Sequence, residues 1–452
     1  MSSLESRAAL SLGGIYAMRM LGLFLILPVF ALYAEHLSGV TPLLVGLAIG
    51  AYGLTQALLQ IPFGMLSDRI GRKPVIVGGL LVFALGSVVA AQGDSIWVVI
   101  VGRAIQGSGA IAAAVMALAA DLTQEHNRTK AMAVIGMSIG LAFAMSLILG
   151  PVLDTWIGVK GIFWLTAVLA VCGVGITLFV VPNPKHRQFH RDAEPVPGQF
   201  GRVLANRDLL RLDIGIMTLH MAMTALFLVL PLSLRDLAGL DIHHHWMVYF
   251  PVLLVSVVLM VPFVVVAEKR RRIKGVMLLA IAALAMAQLG FFLFNGALWG
   301  LLSALVLYFT AFNVLEATLP SLVSKMAPAE SKGTAMGVYS TSQFSGAFLG
   351  GVIGGWVHTR FGMEAVFLFA ATVAGLWLLI AAFMSEPRYL QNHLLNVGVL
   401  EAPRAAAVQR QLLDIDGVDE AVVIPGDEVA YLKIDPERID LAVLDAFSAA
   451  RG

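Results

Sequence analysis

A carboxylate, an imidazole and two guanidiniums stand where the surrounding sequence is almost wholly apolar. Glu316 ends the stretch Phe312-Asn313-Val314-Leu315-Glu316, with Asn313 one helical turn away on the same face. His220 has Thr224 one turn on, Arg103 opens the run R-A-I-Q-G-S-G with Gln106 near its own face, and Arg19 lies nine residues before Pro28. A charge held in an apolar medium is costly unless it is paired or wetted, so each of these marks an internal pair or a path for ions. A carboxyl removed from water can hold and release a proton as its surroundings change, and an imidazole titrates near neutral pH unaided. Glu316, Arg103, His220 and Arg19 are therefore the candidates for proton coupling, the acid and the imidazole as carriers and an arginine as the fixed charge that favours an acid's ionised form. For His220 a neutral, hydrogen-bonded packing role competes. For Arg19, burial beside an acidic partner competes with a head group reaching back to one surface.

Neutral polar groups repeat at helical spacing. Tyr52, Gln56 and Gln60 fall at i, i+4 and i+8, and Tyr339 with Gln343 repeats that spacing. Such a face can line a cavity for a small molecule. Gln106 and Asn313 join the same set of cavity candidates. No nucleotide-binding loop and no hydrolytic constellation is present, which argues against an enzyme or a primary pump. Cys172 is the single cysteine, so intramolecular disulfides and Cys-rich metal sites are excluded. His243, His244 and His245 are adjacent and do not share a helical face, so they read as a hydrated loop without metal.

The elements that position these residues are membrane helices. The apolar fraction is 59%, charged residues make up 13%, and the net charge is +1; mean hydropathy is +0.85. An ordinary soluble protein is thereby excluded. Twelve apolar runs follow in order, each long enough to cross a bilayer. They divide six and six, as 1–181 and 212–386, about a polar linker, 182–211, whose segment 200–211 could lie as an amphipathic helix on the membrane surface. Cations crowd alternate loops: Arg69, Arg72 and Lys73; Arg128 and Lys130; Lys185, Arg187 and Arg191; and Lys269 to Lys274. By the retention of Lys and Arg on the cytoplasmic side, both termini are expected there.

The loop 64–73 reads G-M-L-S-D-R-I-G-R-K and closely resembles the cytoplasmic loop signature of the major facilitator superfamily. Gly64 permits close helix approach and Gly71 a tight turn, leaving Asp68 among Arg69, Arg72 and Lys73. The resemblance extends to Arg103 on the fourth helix, and to Asp121, which in the family pairs with the arginine matched here by Arg72. It implies a gating relay Asp68–Arg72–Asp121. Gly150-Pro151 resembles the helix-bending centre of the family's antiporter signature, although Ser146 and Asp154-Thr155 replace its outer glycines. The implied protein is a multi-pass, all-α transporter of the bacterial inner membrane with no cofactor. It would exchange protons for small amphipathic compounds by alternating access, as in the drug:proton antiporter branch. Inward symport of a metabolite such as a sugar, uncoupled facilitation, and a ligand sensor remain alternatives. The expected partners are the small-molecule substrate, protons and the lipid bilayer, with no nucleic acid, and a monomer is expected.

Beyond residue 387 the composition becomes that of a soluble domain, 392–452. A strand at 394–400, a helix at 403–413, strands at 420–424 and 429–434 about Pro425-Gly426-Asp427, and a helix at 436–450 give the order β-α-β-β-α. That order resembles a small ferredoxin-like domain similar to heavy-metal-associated domains. It has no cysteine, so their metal binding does not carry over. Self-association or a regulator is the expected use. Its acids Asp414, Asp416, Asp419, Glu420, Asp427 and Glu428 could face the basic loop 269–274.

Overall fold

The computed structural model describes residues 1–184, 196–387 and 390–448, and helices dominate it. Helix α1 (Ser3–Phe24) runs into α2 (Leu27–Ala34) across a break at Leu25-Ile26, with Pro28 in the first turn of α2. Then come α3 (Pro42–Ile70), α4 (Arg72–Ala91), α5 (Ile96–Ser108), α6 (Ala112–Asp121) and the long α7 (Glu125–Phe179). Gly158, at φ 66° and ψ 170°, divides α7 into two arms in a conformation that a Cβ would strain. The chain continues through α8 (Phe200–Ala205), α9 (Arg207–Asp236), α10 (His245–Lys269), α11 (Ile273–Phe294), α12 (Leu298–Met326), α13 (Lys332–Phe361) and α14 (Met363–Ala382). Ten helical stretches among the described residues are long and apolar enough to cross a membrane. Helix is the form that satisfies every backbone polar group within one segment when no water is at hand. Helix α13 is not among the ten, because Ser, Thr, Gln and Gly dilute its apolar content.

Local signals set the ends. Thr41 accepts from the Leu44 amide ahead of α3, with Pro42 in the first turn. Asn206 accepts from the amides of Asp208 and Leu209 and so starts α9 at Arg207. That cap corrects the expected amphipathic helix at 200–211: its first part is the six-residue α8, and 207–211 is the first turn of a membrane-length helix. The linker cations Lys185, Arg187 and Arg191 lie outside the described residues.

Among the described residues the basic loops share one face: Arg72 meets Asp121, and α3 runs antiparallel beside α13, Gly46 against Gly351 and Gly53 against Phe344, so the end of α3 lies where α13 begins. Toward the other face the two groups of helices share a core, in which Leu27, Phe30 and Phe163 of the first join Phe227 and Phe309 of the second. Phe143 of α7 stacks on Phe312 of α12, with centroids 5.6 Å apart. Helices α3 and α13 approach so closely that a Cβ on Gly46 would lie 2.0 Å from the Gly351 carbonyl oxygen. Arg235 of α9 donates twice to Glu35, at 2.6 and 2.8 Å, at this end. Toward the basic-loop face the first group keeps a core of its own, from Ala8, Leu12 and Ile15 to Ile76 and Leu118.

A three-stranded antiparallel sheet follows α14, made of β1 (Gln391–Asn396), β2 (Val418–Val423) and β3 (Val429–Ile434) in the order β1-β3-β2. Helix α15 (Ala402–Leu413) and the short α16 (Leu441–Asp445) complete it. Leu395, Leu412, Val423, Leu432 and Leu444 form its core. Strand β1 lies about one turn of sequence earlier than expected, because Gly398, at φ 70°, takes the chain out of the ladder. The second helix is five residues long. The Asp435 carboxylate accepts from the Glu437 amide and holds 435–437 in a turn, and Asp440 caps α16 only after it. Residues 449 and 450 of the expected helix lie outside the described residues.

The sheet sits on the ends of the second group of helices. Asn392 donates to the Ser324 carbonyl at 2.9 Å, and Lys433 to the Lys325 carbonyl at 2.9 Å. The basic loop does face acids of this segment: Arg271 pairs with Glu437 at 2.8 Å and Asp435 at 3.9 Å. Neither was among the acids expected to do so. Of the expected set, Asp416 pairs instead with Arg438 beside it.

Candidate functional site

The loop between α3 and α4 is built by Gly71, which at φ 107° ends one helix and begins the next. A left-handed backbone of this kind suits glycine and reverses the chain without intervening residues. Arg72, 5% exposed, is thereby laid across the ends of three helices. It pairs with Asp68, donates to the Ser67 hydroxyl at 2.9 Å, and lies 3.5 Å from the Asp121 carboxylate at the end of α6. Lys73 donates to the Val181 carbonyl at 2.6 Å, tying the loop to the far arm of α7. Arg69 is exposed. A Cβ on Gly64 would come within 2.9 Å of Ala113 on α6, so the α3–α6 approach depends on it. The Asp68 carboxylate is bonded to Arg72 and not to the start of α13. The second group carries a matching contact of reversed sign that sequence reading passed over: Glu268, ending α10, accepts from Ser321 and Lys325 of α12 at 2.8 and 2.6 Å.

A second cluster is buried among α1, α3, α4 and α5. Arg103 is 0% and Arg19 1% exposed. Arg19 donates to Gln56 Oε1 at 2.5 Å, and Gln56 in turn donates to Gln60 at 3.3 Å. The acidic partner expected for Arg19 is thus replaced by an amide. Arg103 donates to Gln106 Oε1 at 2.8 Å, and Gln106 donates to the Ser87 hydroxyl, which also accepts from Thr166. Both guanidiniums lie within cation–π range of the Tyr52 ring, Arg19 at 5.7 Å and Arg103 at 5.1 Å from its centroid. A hydrogen bond to a charged group contributes about 1.5–3 kcal/mol, and a buried cation–π contact about 2 kcal/mol. Each arginine still leaves two buried nitrogens unanswered, at about 1–3 kcal/mol apiece.

The third cluster lies in the second group. His220 Nδ1 donates to the Ile216 carbonyl at 3.3 Å, and Gln343 Nε2 donates to His220 Nε2 at 2.8 Å. Glu316 Oε1 lies 3.5 Å from that same His220 nitrogen and is buried without a hydrogen bond. One ring nitrogen therefore has two competing partners. Neutral, it accepts from Gln343; protonated, it donates to Glu316, and the amide must let go. A third of the Glu316 side chain is accessible. Asn313 donates to Ser256 at 3.4 Å, and the buried Tyr339 hydroxyl is unpartnered.

Glu316 and Arg103 are not brought together. Glu316 faces His220, and Arg103 belongs to the other cluster. Sequence reading missed Asp213, 5% exposed, which shares electrostatic range of Tyr339 with Glu316. It stood at the start of an apolar run expected from 212 and passed for a boundary residue; α9 in fact begins at Arg207. Gly150 packs on the α1–α2 break, where a Cβ would lie 2.5 Å from the Leu25 carbonyl oxygen, and Pro151 lies within α7. His245 departs from the hydrated loop expected of it: it is 0% exposed, with Nε2 3.2 Å from the Leu240 carbonyl.

Polar clusters inside a helical membrane body, joined to a glycine-turned basic loop, define a multi-pass transporter. The chain belongs to the Major Facilitator Superfamily, whose profile matches residues 12–351. It is 47% identical to the inner membrane transport protein YajR of Escherichia coli (strain K12) over 95% of this chain and 94% of that one. It is 26% identical to the multidrug resistance protein MdtH of Klebsiella pneumoniae (strain 342) over 75% of this chain and 83% of that one. Among solved structures, a bacterial homologue of the human lysosomal transporter Spinster, inward-facing and occupied, aligns with TM-score 0.69 at 15% identity, covering 85% of this chain and 98% of that one. The human organic anion transporter MFSD10 aligns with TM-score 0.61 at 21% identity, covering 84% and 100%. These two likenesses concern the fold alone. The fold and the relatives are those of transporters, not enzymes.

Proposed function

We propose that the protein is a proton-coupled exporter of small amphipathic compounds, working by alternating access between two six-helix halves, 1–181 and 212–386. Counting the arms of α7 separately and adding α13 to the ten apolar stretches gives twelve crossings. The cation bias of the loops supports a cytoplasmic location for both termini and the basic-loop face, and likeness to YajR supports the bacterial inner membrane. The sheet order β1-β3-β2 supports a ferredoxin-like domain at 392–452. The shared core and the Glu35–Arg235 pair lie away from the basic loops, which supports a state open to the cytoplasm.

The observation that carries proton coupling is the contest of Gln343 and Glu316 for one His220 nitrogen. A proton arriving through the accessible side of Glu316 changes which neighbour α9 holds. Substrate and proton need only favour opposite states for one to drive the other. Similarity to MdtH supports efflux over the alternatives, as does the presence of Gly150-Pro151. The test is proton flux in everted membrane vesicles holding an acid-inside gradient. Addition of an exported compound should discharge the gradient in wild type and not in Glu316→Gln. Compounds that accumulate without moving protons would leave the uncoupled facilitator standing instead.

A further inference from the structure

The cluster around Tyr52 has a charge problem that no described residue resolves. Arg19 and Arg103 flank one ring at 5.7 and 5.1 Å, both essentially without solvent contact. Each has a single hydrogen bond, to a glutamine carbonyl oxygen. Arg19 Nε and Nη1 and Arg103 Nε and Nη2 are buried with no partner. Among the described residues no carboxylate pairs with either guanidinium. Asp121 is held near Arg72, and Glu5 accepts from the Gln124 amide and the Asn127 side chain near the basic-loop end. Amide dipoles satisfy N–H groups but leave the net charge of two cations uncompensated. Tyr52 also touches Phe344 of α13, ring centroids 6.3 Å apart, so the cluster lies at the seam where the two halves meet.

We propose that Arg19 and Arg103 form an anion site that receives the negative group of the transported molecule. This deepens the exporter reading and rests on it. The planar fork of guanidinium matches a carboxylate by two parallel bonds, and each arginine has two unanswered nitrogens to offer its oxygens. Tyr52 and Phe344 supply ring faces for an apolar body beside that group. The cargo class is therefore amphipathic carboxylates. A free inorganic anion shares the charge but gains nothing from the rings.

Thermal unfolding of the full-length protein in detergent tests this, with benzoate, chloride and tetraphenylphosphonium as probes at fixed pH. Saturable stabilisation by benzoate, weakened at least about tenfold in Arg103→Met and Arg19→Met and less in Arg103→Lys, assigns the site to a substrate carboxylate. Equal stabilisation by chloride, lost in the same variants, keeps the anion site and assigns it to a free ion. Stabilisation by tetraphenylphosphonium alone, or by anions equally in wild type and variants, overturns it. If the methionine variants do not fold, competition between benzoate and tetraphenylphosphonium on wild type still decides. Discharge of a proton gradient by a cationic compound would uphold the exporter while this site failed; no discharge by any compound would fail the exporter itself.

Discussion

The polar interiors of the two groups of helices are opposites. Around Tyr52 stand two cations answered only by amides, whereas around Glu316 stand an acid and an imidazole sharing one nitrogen's choice of partner. In the six-plus-six reading these residues occupy corresponding elements, the first and fourth helix of each half. The same scaffold thus positions charge of opposite sign in its two halves. A site of fixed cations can hold something but cannot titrate at neutral pH, while an acid beside a histidine can titrate. On the two proposals above, one half binds the charged cargo and the other carries the proton. The seam at Tyr52 and Phe344 and the stack of Phe143 on Phe312 join them.

The largest test of that division is Glu316→Gln. It should abolish transport driven by a proton gradient while exchange of cargo across the membrane persists. Accumulation against the gradient at the wild-type rate would place the proton elsewhere, with Asp213 the next candidate. Next in size are the variants of the basic loop. Asp68→Asn or Arg72→Ala removes a contact that holds α3, α4 and α6 together, and that a closed cytoplasmic face would share with α13. Labelling of a cysteine placed on the basic-loop face should quicken roughly fivefold or more, the scale of a 1–3 kcal/mol coupling. Unchanged labelling on both faces ends the idea of a latch.

Smaller effects are expected at the sheet. Deleting 390–452 should leave a membrane-inserted protein with an altered transport rate, and failure of insertion would mean that the domain boundary lies elsewhere. Smallest is Arg271→Ala, which removes a partly exposed pair with Glu437. Such pairs contribute about 0.2–1 kcal/mol, so faster proteolysis of the segment at low salt, converging with wild type at high salt, is the outcome to look for.

Much of this was legible beforehand. A glycine-turned loop with one acid and three cations is readable because its residue types admit few other uses. The apolar runs are readable because lipid forces helix on them. Partners were harder. That Arg19 meets Gln56 and not an acid, or that Glu316 meets His220 and not Arg103, depends on which faces pack, and spacing along one helix does not contain that. Asp213 was lost to a boundary placed five residues late, since hydropathy fades before a helix does when its first turn is charged. In the C-terminal segment, Glu437 was read as part of a helix start with Asp435 just before it, and their turn brought both to Arg271 instead.

The central claim is that protonation at Glu316 and His220 moves the two halves. Its most direct measurement is the distance between spin labels on the α3–α4 and α12–α13 loops, taken by double electron–electron resonance across a pH series. In wild type the distance distribution should shift between two populations as pH changes, and in Glu316→Gln it should hold one population throughout. A wild-type distribution that ignores pH, or a Glu316→Gln variant that follows pH as wild type does, would contradict the account.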